Sequence, residues 1–221
     1  MLYCETSTVI TIKVEDYARL ELILLGNADA AQQSIELNST IGTEATLNCY
    51  PIFIQHNNIA FGCRNEIIGH RGHSDVHLIT HVTESQTASM SCTNVFNAND
   101  GTGEMTMKGV AEDTAVINYE GLIDIGLRGG GTDTYLTQEA LMLDTTATVN
   151  AIPGLEIKTN DVKASHSATV AKVTDEDLFY FGSRGIDQTT ARKMFVDGFL
   201  LADFNTIKNK TLQQALLTSG Q

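Results

Sequence analysis

The sequence predicts a mainly β body over residues 1–173, followed by a small helical tail over residues 174–221. Three observations carry this. Apolar residues alternate with a period of two from about residue 8 to about residue 170. Polar turn clusters interrupt that alternation roughly every ten residues. The alternation then gives way to helical spacing at Thr174. Composition agrees: two prolines, no tryptophan and abundant Thr, Asn, Ser and Gly suit short strands with tight turns better than a helical bundle.

Taken in order, TVITIKV (Thr8–Val14) alternates around Val9, Ile10 and Ile12, and RLELILL (Arg19–Leu25) places Leu20, Leu22 and Leu24 on one side. SIELNSTI, ATLNCYPIFI, DVHLITHV, GEMTMKGV, TAVINYEGLIDIGL and ATVNAIPGLEI continue the pattern, separated by clusters such as GNADA, NANDGTG and RGGGTD. Both an antiparallel sandwich and a β-solenoid fit this spacing. The many outward Thr, Asn and Ser residues tolerate stacked ladders and sharp corners, which tilts the reading to the solenoid. At Thr174 the run TDED sets an N-cap with Asp177 three residues on, and Gly185 stands where a helix ends. A second helix starts near Asp187, with Ala191, Met194, Phe195, Gly198 and Phe199 on one apolar face. TLQQALL predicts a third, shorter helix.

The net charge of −13, with Lys and Arg thinly scattered, argues against a nucleic-acid partner, which needs a basic patch. No apolar run reaches the length of a membrane helix, and MLYCETSTVITIKVED has no signal-peptide character. Cys4, Cys49, Cys63 and Cys92 lack close pairing, as reduced thiols of a cytoplasmic protein do. GHRGHSDVHLITH holds His70, His73, His77 and His81, which would share a helix face. Its β-branched residues make it a strand, however, and on a strand residues four apart lie roughly 13 Å from each other. RGGGTDTY (Arg128–Tyr135) matches no phosphate-binding motif and reads as a turn. Cys63 and Cys92 could approach a histidine across solenoid layers, a thiolate and imidazole set suited to iron. No motif of nucleophilic or metal hydrolysis is present, so no active site is visible.

The segments LEIKTNDVKASHSATV, DLFYFGSRGI and ARKMFVDGF, in this order and spacing, resemble the SufB/SufD family of iron–sulfur cluster assembly scaffolds. The resemblance covers roughly residues 105–205; the earlier half agrees in its β-periodicity. It implies a right-handed parallel β-helix with a helical C-terminal region. It also implies pairing through the β-helix end, and an ABC-type ATPase, SufC, held by the helices. On that resemblance the chain is a non-catalytic scaffold on which iron and sulfide form a transient cluster. The tail's Met194, Phe195 and Phe199 then face the ATPase. His166 falls on the family's histidine and is the first candidate iron ligand, with Cys63 and Cys92 behind it. The SufB-type cysteine would fall near Ala147, and the glutamate after the histidine is here Ser167. Both departures make the chain resemble the SufD branch. Its length resembles a short, archaeal-type member, pairing with itself or with a SufB-like paralogue. The alternatives are a carbohydrate-active solenoid using Asp75, Glu84 or Asp100, and a plain interaction solenoid.

Overall fold

The computed structural model describes residues 2–3, 7–26, 32–54 and 57–201. Two parallel sheets face each other across one core. The first contains, in spatial order, β1 (Leu2–Tyr3), β3 (Arg19–Leu25), β5 (Thr46–Ile54), β7 (His73–Val82), β9 (Thr102–Ala111), β11 (Thr132–Met142) and β13 (Val162–Lys172). The second runs β2 (Ser7–Val14), β4 (Gln32–Ile41), β6 (Asn58–Ile67), β8 (Thr87–Phe96), β10 (Val116–Ile125) and β12 (Thr148–Ile157). Odd and even strands alternate between sheets, and every pairing is parallel, as in Cys63 opposite Cys92 and Leu136 opposite His166. A chain that changes sheet at every strand and returns one layer higher is a β-solenoid, so the sandwich is excluded.

Alternation supplies the lumen. Leu37, Phe61, Met90 and Tyr119 point in from one sheet, and Leu47, Val76, Met105 and Leu136 from the other, all buried. One inward column is polar. Ser39 donates to Asn65 Oδ1 (2.6 Å), Asn65 Nδ2 donates to Asn94 Oδ1 (3.0 Å), and Asn94 Nδ2 donates to the Ser74 carbonyl (3.2 Å). Stacked side-chain amides satisfy one another here, which buried polar groups require. Corners are built by residues in the left-handed region, among them Glu44, Arg71, Glu84, Asp100 and Asp113 at φ between 48° and 58°.

The strands end at Lys172 and α1 (Asp175–Ser183) follows. Thr174 Oγ1 accepts from the Asp177 N–H, and the Asp177 carboxylate accepts from the Thr174 N–H, the reciprocal cap the sequence predicts. Gly185, at φ 79°, lies just beyond the C-cap Arg184. The second helix, α2 (Gln188–Leu201), lies on the outer face of the odd-numbered sheet. Its buried side is rotated from the expected one. Ala191, Val196 and Leu200 are buried, Phe195 and Phe199 half-buried, and Met194 is 46% exposed. The row 192–196–200 faces the sheet: Arg192 reaches down to Glu112 and Asp144, and Val196 and Leu200 join the apolar cluster on the sheet's outer face. TLQQALL and Cys4 lie outside the described residues.

Candidate functional site

His166 occupies the last layer. Its column on the odd-numbered sheet is Leu22, Cys49, Val76, Met105, Leu136 and His166, all on the lumen side. Five of these are core positions. Among the described residues no strand lies above His166, so the column ends there and an inward-facing imidazole is left exposed. Ile152, Ile157 and Val170 of β12 and β13 are exposed at the same end. Among the described residues the solenoid therefore finishes in an uncapped coil whose apolar side chains and backbone edges are both open.

Those two edges differ. Thr148 N–H donates to the Ala115 carbonyl and Lys158 N–H to the Ile125 carbonyl (both 2.9 Å), with unbroken register between. In a parallel strand alternate residues bond to opposite sides. Even-numbered residues of β12 therefore bond to β10, and the odd-numbered ones face outward. Pro153 is odd, so the centre of that edge has no N–H donor. On β13, Val173 N–H donates to the Met142 carbonyl (2.9 Å), so the outward residues are Ala164, His166, Ala168 and Val170. This edge has no proline.

The cysteines lie elsewhere. Cys63 and Cys92 are register partners on β6 and β8, and above Cys92 stand Gly121 and Pro153. Two further strands place Cys92 roughly 10 Å below the open layer. With Cys49 they form a buried thiol group, in which the contact with Cys63 and burial push Cys49 and Cys92 well above the usual thiol range. Such thiols are small core residues. A shared ligand set of Cys63, Cys92 and His166 is not what the fold builds. Among the described residues no three of His, Cys, Asp and Glu cluster as a metal site.

Of the histidine row, His73, His77 and His81 lie on β7 and His70 in the turn before it, and each has its own partner. His73 Nε2 meets Asp75 (3.0 Å) while its Nδ1 meets Thr102 (2.9 Å). His77 stacks on Tyr50 at 5.4 Å, and His81 Nε2 meets Glu112 (2.7 Å). The Asp75 carboxylate raises the His73 pKa against the opposing effect of burial. Burial is the largest single influence on Asp75 and would raise it, but the His73 hydrogen bond and charge, with the Glu104 N–H, together hold the carboxyl low. Of the other candidate acids, Glu84 and Asp100 are corner residues, and Asp100 faces His70 at 3.5 Å. A groove of about 490 Å³ on the outer face of the even-numbered sheet holds Glu36 and Glu120. They stand three strands apart, about 14 Å between Cα atoms. None of these forms the close carboxylate pair of a glycosidase.

Sequence reading missed the group at the base of the tail. Arg192 donates from Nη1 to Asp144 Oδ1 (3.0 Å) and from Nη2 to Glu112 Oε2 (3.0 Å), and Nη2 also contacts Asp144 Oδ2. Burial would raise Glu112, but hydrogen bonds from His81 and Arg192 keep it below the usual range. The Arg192 hydrogen bond does the same for Asp144. Nearby, Lys108 pairs with Glu139 (3.2 Å) and lies 4.8 Å from the Phe199 ring centroid.

These features define a parallel β-solenoid with an open final coil and a helical tail anchored on one sheet. The chain belongs to the SufBD family of iron–sulfur cluster assembly proteins: the model of the SUF system FeS cluster assembly SufBD core domain matches residues 4–199. It is 34% identical over 110 residues to the iron–sulfur cluster assembly protein SufD of Escherichia coli, covering 50% of this chain and 26% of that protein. It is 32% identical over 93 residues to SufB of Bacillus subtilis, covering 42% and 20%. It is 27% identical over 122 residues to a SufBD family protein of Staphylococcus epidermidis, covering 55% and 26%. The chain thus spans a fifth to about a quarter of these relatives' length. Among the described residues no helix is long and apolar enough to cross a membrane.

Proposed function

We propose that the chain is a non-catalytic, cytoplasmic scaffold component of a SUF-type assembly complex. It pairs through its open coil with a second copy or a SufB-like paralogue, and its helical tail carries a SufC-type ABC ATPase. The observation that carries this reading is the uncapped last coil, where exposed apolar residues, an unbroken β13 edge and His166 coincide. A pairing strand adds to β13 in preference to β12, because Pro153 interrupts the donors of the other edge. His166 offers one neutral imidazole to iron or to the cluster, which is cargo here. One imidazole cannot hold a cluster, so further donors come from the paired subunit. Ala147 and Ser167 in place of cysteine and glutamate fit a SufD-like half of such a site.

On the tail, Met194 is exposed beside α1, whose Phe179 and Tyr180 are 77% and 56% exposed. Phe195 and Phe199 contribute from the rim, since each is also packed on the solenoid. The test is anaerobic co-purification of the paired complex with iron and sulfide quantified, for the wild type and His166→Ala. Reduced iron at unchanged subunit ratio and melting temperature is the expected result. Equal iron in both removes His166 from the ligand set.

A further inference from the structure

We propose that Arg192 is the positioning residue that couples the helical tail to the pairing end of the solenoid. This rests on the reading above that the tail binds the ATPase and the last coil pairs.

The turns after β7, β9 and β11 stack as a ladder of acids. Asp113 Oδ2 accepts from the Glu84 N–H (2.9 Å), and Asp144 Oδ2 accepts from the Asp113 N–H (2.7 Å). Thr114 Oγ1 donates to the Glu84 carbonyl (2.7 Å), and Thr146 Oγ1 donates to the Asp113 carbonyl. Each rung is thus held by the next coil. Asp144 is the last rung among the described residues, which place no coil above it. The Arg192 guanidinium takes that place, binding Asp144 with two nitrogens and reaching back one coil to Glu112, whose other oxygen meets His81.

Position gives the contact its consequence. Asp144 lies four residues before β12, the strand that forms one edge of the open coil. Leu143 of the same turn packs with Val196 and Leu200 of α2. The turn is therefore gripped by a planar, two-pronged ion pair and by an apolar contact from one helix. A fork held by two carboxylates transmits direction as well as attraction. When α2 moves, the start of β12 moves with it. No separate hinge is needed.

Hydrogen exchange read by mass spectrometry tests this in two arms. In the chain alone, Arg192→Gln should speed exchange about tenfold or more in α2 and in residues 142–151 together, leaving β6 and β8 unchanged. Arg192→Lys should be intermediate, because a lysine keeps the charge and loses the fork. Should Arg192→Gln fail to fold, Asp144→Asn weakens the same contact, keeps an acceptor for the Asp113 N–H, and should give the same paired increase. Exchange that rises in α2 while residues 142–151 stay as in the wild type overturns the coupling. In the complex with the ATPase, nucleotide should alter β12 exchange in the wild type and not in Arg192→Gln, at equal ATP hydrolysis. An undiminished nucleotide response in the variant, or none in the wild-type complex, overturns transmission. Failure of the wild type to bind the ATPase sinks the functional reading instead, and the first arm still decides the clamp.

Discussion

Replacing Asn65 by alanine probes the inward amide ladder directly. The carboxamide accepts the Ser39 hydroxyl at 2.6 Å and donates to Asn94 Oδ1 at 3.0 Å, and all three side chains are buried. Its removal leaves the Ser39 hydroxyl and Asn94 Oδ1 without these partners, and also the weakly donating Cys63 thiol, 3.6 Å from Asn65 Oδ1. Each orphaned group costs about 1–3 kcal/mol, so Asn65→Ala should lose about 2–6 kcal/mol. Asn94 retains its bond to the Ser74 carbonyl, and a thiol is a weak donor, so the hydroxyl and the Asn94 oxygen carry most of the cost. Urea unfolding followed by circular dichroism gives the free energies. The decisive comparison is the double variant with Ser39→Ala, which removes the orphaned hydroxyl. It should be more stable than Asn65→Ala alone, by about 1–3 kcal/mol, because replacing both partners is cheaper than stranding one. If the two changes simply add, the ladder contributes no coupled hydrogen bonding and the reasoning fails.

Other outcomes follow from the same geometry. Ala168→Pro removes an outward N–H from β13 and no ladder bond, so the fold should persist. In a two-fold homodimer it deletes two intersubunit bonds, about 1–3 kcal/mol or roughly 5–150-fold in dimer affinity by sedimentation. Thr169→Pro, one residue on, removes a bond to β11 and should lower the melting temperature instead. Met194→Asp should weaken ATPase capture without unfolding the tail, whereas Phe195→Asp should weaken both capture and α2 protection, since Phe195 also packs against Phe181 at 5.2 Å. Glu112 and Asp144 are held below their usual values, so their contribution is complete above about pH 5 and is lost as pH falls through the depressed values. Protection of α2, corrected for the intrinsic pH dependence of amide exchange, should therefore fall below that pH in the wild type and change little in Arg192→Gln. The raised pKa of His73 makes its pair with Asp75 stabilising at and below pH 6.5, with the gain lost as pH rises through the folded value. In NMR titration Asp75→Asn should lower the His73 midpoint; an unmoved midpoint contradicts the pairing.

Local rules in this chain are legible because they act between near neighbours. The period of two locates the strands, and Thr174 with Asp177 sets the helix start. What joins layers is not local. Period alone leaves sandwich and solenoid open, because both alternate. A signal for the solenoid does exist: Cys63-Arg-Asn65 and Cys92-Thr-Asn94 repeat one motif 29 residues apart, the offset of one coil, and both pairs stack in register. The tail's buried face is not legible from its apolar residues alone, since a charged residue, Arg192, lies on it and finds its partners 48 and 80 residues away. Cys63 and Cys92 were paired with His166 on ligand chemistry, yet they lie in inner layers while His166 closes the last one. His166 itself is legible through the resemblance of its motif. Its exposure is not, because it depends on β13 being the edge strand of its sheet among the described residues.

The most direct measurement is anaerobic co-expression of the chain with the SufC-type ATPase of its own organism, followed by sizing and an absorbance spectrum. A stable complex of paired scaffold and ATPase is the predicted result. Absorbance near 400 nm (roughly where sulfide- and thiolate-bound iron absorbs) would mark a chain that holds a cluster when paired with itself. A colourless complex would make a SufB-like subunit the missing half. Absence of any complex under these conditions contradicts the scaffold reading and leaves an interaction solenoid.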